Sequence, residues 1–174
     1  LVPVLIAGCG HLFDNIAAID IGSTAIRAVA VKTGLKEFQV KFLSLEEIDQ
    51  TVPDWNEAAS QALRRLIDDN DLGQHTFCAT LPMELALIRN LSFPFSDITK
   101  IASVLPSEAE EQMPVETENL VLDFKPLNSV EGETPVLVAG VHKNSLDSFL
   151  SIFTSAGIAP SFLGLEAVSL FETY

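Results

Sequence analysis

Cysteine is nearly missing: Cys9 and Cys78 are the two thiols in 174 residues. So few, and so far apart, they exclude a disulfide-stapled scaffold and a closed zinc site, and they suit a reducing compartment. Histidine is equally sparse. His11, His75 and His142 lie apart, with no cysteine or carboxylate at ligand spacing, so no metal site is expected. Basic side chains number 10 against 24 acidic ones, a formal net charge of -14. A surface of that sign repels a phosphate backbone, which argues against nucleic acid as a partner; it attracts a basic peptide or keeps the chain soluble. Long hydrophobic runs are lacking too. The strongest apolar stretch, residues 1–9, is under half the roughly 20 residues a membrane helix needs.

What the chain does have is apolar residues, 48% of the total, enough for a packed core in one domain or two small ones. It opens on Leu1 rather than Met, and residues 166–174 read as the start of a helix, so a stretch of a longer protein is expected. The first ten residues, LVPVLIAGCG, allow several readings. Ile6-Ala7-Gly8-Cys9 has the residue types of a lipoprotein cleavage site, but no basic segment precedes it. Residues 3–8 (PVLIAG) nearly repeat residues 135–140 (PVLVAG), and Gly8-Cys9-Gly10 after an apolar strand resembles a glycine-rich nucleotide loop. An ordinary strand explains the segment as well.

From Asn15 the organisation is clearer. Residues 16–21 (IAAIDI) and 25–31 (AIRAVAV) are apolar runs joined by Gly22-Ser23-Thr24, the pattern of a β-hairpin, and residues 38–43 supply a third strand. The period then changes. Trp55, Ala58, Ala59, Ala62, Leu63, Leu66 and Ile67 fall at helical spacing, with Asp54 placed to cap the start and Gly73 to end it. Residues 76–81 return to strand character before Pro82. A second series follows: a strand at 86–93; a helix from Asp97, capped by Ser96, to about Leu105, where Pro106 breaks it or starts a second turn through Met113; a strand at 119–126; an apolar strand at 136–141; and a helix capped by Asn144 running to Ala156 before Gly157. Residues 158–165 read as a strand re-entering the first series. The pattern is β-β-β-α-β followed by a small sheet, β-α-β-β-α, with helices on one face.

The sharpest local pattern is Asp20-Ile21-Gly22-Ser23-Thr24-Ala25-Ile26-Arg27. A carboxylate ends a strand, glycine makes the turn, two hydroxyls sit at its tip and a cation follows. Gly22 lets backbone approach an oxyanion, the turn amides with Ser23 and Thr24 donate hydrogen bonds, and Arg27 neutralises phosphate charge. Asp20 suits a hydrated Mg²⁺. The same residues equally describe a plain Gly-Ser hairpin whose Asp caps its own turn.

Residues 20–27 resemble the first phosphate loop of the actin/hexokinase superfamily, with Arg27 where actin has lysine. The order that follows, EAEEQMP (108–114), NLVLDF (119–124), PVLVAGVHKNSLDSF (135–149) and AGIAPSFLGLEA (156–167), is similar to the PilM/GspL-like actin-fold family of type IV pilus assembly and type II secretion, relatives of FtsA. The resemblance covers residues 15–174; Pro106 in the acidic helix and Arg27 are departures. It implies an α/β fold: an actin-like (ribonuclease H-like) subdomain, residues 1–82 and 158–174, with an inserted small α+β subdomain, residues 83–157. It also implies a cytoplasmic scaffold, peripheral to the bacterial inner membrane, that docks a secretion or pilus assembly ATPase or an inner-membrane platform protein. By the same resemblance, contact with the membrane runs through partners or a downstream segment, a homodimer is a further expectation, and no catalytic residue is implied. ATP and Mg²⁺ belong to the full-length protein, at Asp20, Gly22, Ser23, Thr24 and Arg27, and none is expected on this stretch, which stops before a second phosphate loop. Glu108, Glu110 and Glu111 are either a solvated helix face or a patch for a basic partner. Trp55 reads as core or groove edge. Two other classes stay open: a sugar or acyl kinase of the same superfamily, and a lipid-anchored binding domain.

Overall fold

The computed structural model describes residues 4–5, 15–33, 38–128 and 132–166. The lipoprotein-like and glycine-loop readings of residues 6–10 lie outside them. Strands β1 (Val4–Leu5), β2 (Asn15–Ile21), β3 (Ala25–Thr33), β4 (Phe38–Glu47), β5 (Thr76–Leu81) and β9 (Phe162–Leu165) form one sheet in the order β1-β9-β5-β2-β3-β4. β2, β3 and β4 make an antiparallel meander, while β2–β5, β5–β9 and β1–β9 pair in parallel. A bulge between Ala30 and Val31 leaves Lys41 as the extra residue of β4. Alternation makes the sheet two-sided. Ala17, Ile19, Ile21, Ile26, Ala28 and Ala30 are buried, whereas Leu43 and Leu45 on β4 are 78% and 57% exposed.

Helix α1 (Trp55–Asp69) covers the buried side. Its apolar stripe, Ala58, Ala59, Ala62, Leu63, Leu66 and Ile67, is buried, and each Leu or Ile so placed contributes about 1.5–3 kcal/mol. Asp54 caps its start, accepting from the N–H groups of Asn56 and Glu57 at 2.9 and 3.2 Å. Its end differs from the sequence expectation. Asn70 is the cap, Asp71 takes the left-handed conformation (φ 54°), and the Leu72 N–H closes on the Ile67 carbonyl at 3.0 Å. Leu72 is fully buried, and that apolar anchor fixes the stop at Asn70, three residues before Gly73. α3 (Lys143–Ser155) begins just ahead of Asn144 and ends at Gly157 (φ 87°), with the Ile158 N–H on the Phe153 carbonyl at 3.0 Å.

The second sheet has the order β6-β8-β7, from β6 (Ala86–Phe93), β7 (Leu120–Pro126) and β8 (Thr134–His142), antiparallel throughout. Helix α2 (Ile98–Glu110) packs on it through Ile101, Leu105 and Ala109, joining Phe93, Met113, Leu120, Val136 and Val138 in one core. Asp97, not Ser96, caps this helix, accepting from Thr99 and Lys100 N–H at 2.9 and 3.1 Å. Pro106 lies inside it, so the helix is continuous rather than broken. Gly140 on β8, the middle strand, makes room for neighbours: a Cβ there would sit 3.0 Å from Leu122 and 3.1 Å from the Met113 sulfur.

The chain divides into two compact units. One joins the described residues up to Met83 with those from Asp147 on; the other is Glu84–Leu146. Most of α3, which the sequence reading kept with residues 83–157, therefore groups with the first unit. Its contacts explain why: Ser148 accepts from Asn56 at 2.9 Å, the Ser155 carbonyl accepts from Arg64, and no α3 residue belongs to the core around Ile101 and Val138.

Candidate functional site

The β2–β3 turn is built by its own sequence. Apolar alternation pairs Ile21 with Ile26 and Asp20 with Arg27, and the Gly22 N–H closes the loop on the Ala25 carbonyl at 3.0 Å. Cross-strand partners share a face, so one row runs Thr80, Asp20, Arg27, Leu45 across four strands. Within it the Asp20 carboxylate is held from both sides. Oδ1 accepts from the Thr80 hydroxyl at 3.0 Å and Oδ2 faces Arg27 Nη1 at 3.3 Å. Arg27 and Asp20 remain 60% and 43% exposed at the side chain, so the pair is solvent-screened and adds little stability. Arg27 Nη1 also lies 3.3 Å from where a Gly22 Cβ would stand, and the Ala25 carbonyl 3.2 Å from it. A side chain at 22 would fill this space.

Ser23 and Thr24 project at the tip, both exposed. Their carbonyls are engaged from the segment leading into α1. Ser23 C=O accepts from the Trp55 indole Nε1 at 3.0 Å and lies 3.4 Å from Gln50 Nε2; Thr24 C=O accepts from the Ile48 N–H at 2.9 Å. Trp55 is thus 38% exposed and bonded to the turn, not a core residue. The turn opens onto a groove of about 430 Å³ along the exposed side of the sheet, with Asp20, Arg27 and Thr80 as its polar end and Ala18, Val29, Leu43 and Leu45 as its apolar part. A cavity of this size and mixed lining accommodates a small ligand or a few side chains.

The structure therefore gathers Asp20, Gly22 and Arg27 at one point and sets Ser23 and Thr24 beside them. Thr80 and Gln50 were not anticipated, and Trp55, read as core or groove edge, was not expected to bond the turn. The acidic residues lie elsewhere, in the second unit. At helical spacing Glu108, Glu110 and Glu111 occupy the arc opposite Ala109; Ala109 is buried and all three glutamates are exposed. Among the described residues no three His, Cys, Asp or Glu side chains gather as metal ligands, and no helix is long and apolar enough to cross a membrane. His11 lies outside the described residues.

Residues 18–173 match the family model of type IV pilus assembly protein PilM. The chain belongs to the PilM family. The PilM-like chain superposes on a PilM-PilN type IV pilus biogenesis complex with a TM-score of 0.75 and 20% identity, covering 87% of this chain and 47% of that one. It also superposes on the cytoplasmic domain of EpsL, an inner-membrane component of the Vibrio cholerae type II secretion system, with a TM-score of 0.58 and 12% identity, over 87% and 57% of the two chains. These likenesses show a shared fold, the actin-like one expected from residues 20–27 and the order of elements after them. The PilM-like chain spans about half the length of these structures, 47% and 57%. No curated protein sequence matches it.

Proposed function

We propose that this PilM-family chain is part of an assembly scaffold at the cytoplasmic face of the bacterial inner membrane, in type IV pilus biogenesis or type II secretion. It works by holding neighbours, an assembly ATPase or a peptide of an inner-membrane platform protein, and not by turnover. The observation that carries this reading is the PilM family match over residues 18–173, in a fold whose likeness includes a complex of PilM with PilN. The chemistry agrees with it. Asp20 is held by Thr80 and Arg27, an arrangement suited to holding a turn, and among the described residues lining the groove it is the one carboxylate.

The docking surface of this reading is the arc of Glu108 and Glu110 on α2 and Glu111 at its C-cap, which faces a basic partner segment. Replacing all three with Gln is expected to weaken capture of the ATPase or platform protein in a pull-down at low salt and to flatten its salt dependence. Unchanged capture at low salt would remove this surface from the proposal.

A further inference from the structure

We infer that Trp55 is a positioning residue for the Gly22 turn: its indole holds the Ser23–Thr24 peptide with the N–H turned outward, toward a phosphate-class anion. The inference rests on the reading of residues 20–27 as a phosphate cradle and deepens it. Two carbonyls at the tip would repel an anion if they faced it. Instead both are drawn back. Trp55 Nε1 donates to Ser23 C=O at 3.0 Å, with Gln50 Nε2 at 3.4 Å as a weaker second donor, and the Ile48 N–H donates to Thr24 C=O at 2.9 Å. Gln50 is steadied in turn by the Ile48 carbonyl at 3.0 Å. In a trans peptide the N–H points opposite to the C=O, so fixing the Ser23 carbonyl on the indole turns the Thr24 N–H away from Trp55.

The two sides of the sheet separate the parts. α1 bonds to Glu46 through Arg65, and its C-cap Asn70 bonds to Ser44; Glu46 and Ser44 alternate with Leu45 and Leu43. Leu45 is the cross-strand partner of Arg27, so Arg27 lies on the side away from α1. The indole thus pulls negative dipole ends toward the helix and leaves the Thr24 amide, the two hydroxyls and those Arg27 donors that do not face Asp20 for the ligand. Trp55 is itself fixed because it is the first residue of α1, immediately after the Asp54 cap. Phe at this position keeps the ring and loses the donor.

Inorganic pyrophosphate titrated into the whole protein tests this, followed by nitrogen-15 NMR of the Thr24 amide and of the Trp55 indole N–H, the latter assigned by its loss in W55F. In the wild type both resonances are expected to shift along one binding curve. Replacing Trp55 with 3-benzothienylalanine, which puts sulfur where the N–H stood, should weaken pyrophosphate about fivefold, the worth of one ordinary hydrogen bond. The thermal midpoint should fall by no more than a few degrees, the worth of the same bond. Equal affinity in wild type and isostere would overturn the positioning role and leave the cradle standing. No pyrophosphate-dependent shift in the wild type would overturn the cradle, and this inference with it.

Discussion

Asp49 shows how much of this chain's behaviour is set by single hydrogen bonds on an acidic surface. The Thr51 hydroxyl donates to Asp49 Oδ1 at 2.7 Å and the Thr51 N–H to the same oxygen at 2.9 Å. Those bonds, the hydroxyl first and the backbone second, hold the Asp49 carboxyl below its ordinary 3.8 against the cost of desolvation, with the Arg65 charge as the smallest influence. A carboxyl lowered in the folded state stabilises it above the ordinary carboxylate range, and that contribution fades as pH falls through the lowered value. Thr51→Val removes the hydroxyl and keeps the N–H, so the Asp49 pKa read by carboxyl NMR should move back up toward 3.8; an unmoved titration would show that the hydroxyl does not set it. The same distinction between near and far partners explains what the sequence disclosed about the turn. Asp20, Gly22 and Arg27 sit within eight residues on one hairpin, so pattern alone groups them. Thr80 is 60 residues from Asp20 and Trp55 is 32 from Ser23. Local spacing carries no trace of contacts that only the folded sheet and helix create.

Among the elements, strands and buried helix stripes were legible because alternation and 3.6-residue periodicity are direct consequences of which side is buried. β5 and β6 fall on the expected residues 76–81 and 86–93. β4 is longer than residues 38–43 suggest: Ser44, Leu45, Glu46 and Glu47 look like loop composition, but pairing with Ala25–Ala28 keeps them extended. Helix ends were less legible. Ser96 and Asp97 are both good caps, and the choice falls to Asp97 because its carboxylate reaches two amides. Pro106 was expected to break α2 or to start a second turn, yet buried Leu105 and Ala109 on either side hold one helix through it. The residue still lacks an N–H for the fourth preceding carbonyl and crowds that turn. Pro106→Ala should therefore stabilise the protein by about 1–3 kcal/mol in denaturant unfolding. A midpoint that stays or falls would mean the proline is accommodated without cost.

The whole molecule combines a net charge of -14, two compact units and an actin-like fold in the PilM family. Fold and family were legible because the order of elements after residue 20 is distinctive even where each motif is loose. The division between units was less so, since α3 reads as a continuation of β8 while its later residues pack beside α1. As proposed above, such a chain binds neighbours and does not turn over ATP. Calorimetric titration of the protein with the cytoplasmic segment of an inner-membrane platform partner, with and without Mg-ATP and with released phosphate monitored, tests it most directly. The expected result is saturable binding with a dissociation constant on the order of micromolar, little changed by Mg-ATP, and no phosphate release. No heat of binding at any partner concentration, together with steady phosphate release from Mg-ATP, would contradict it.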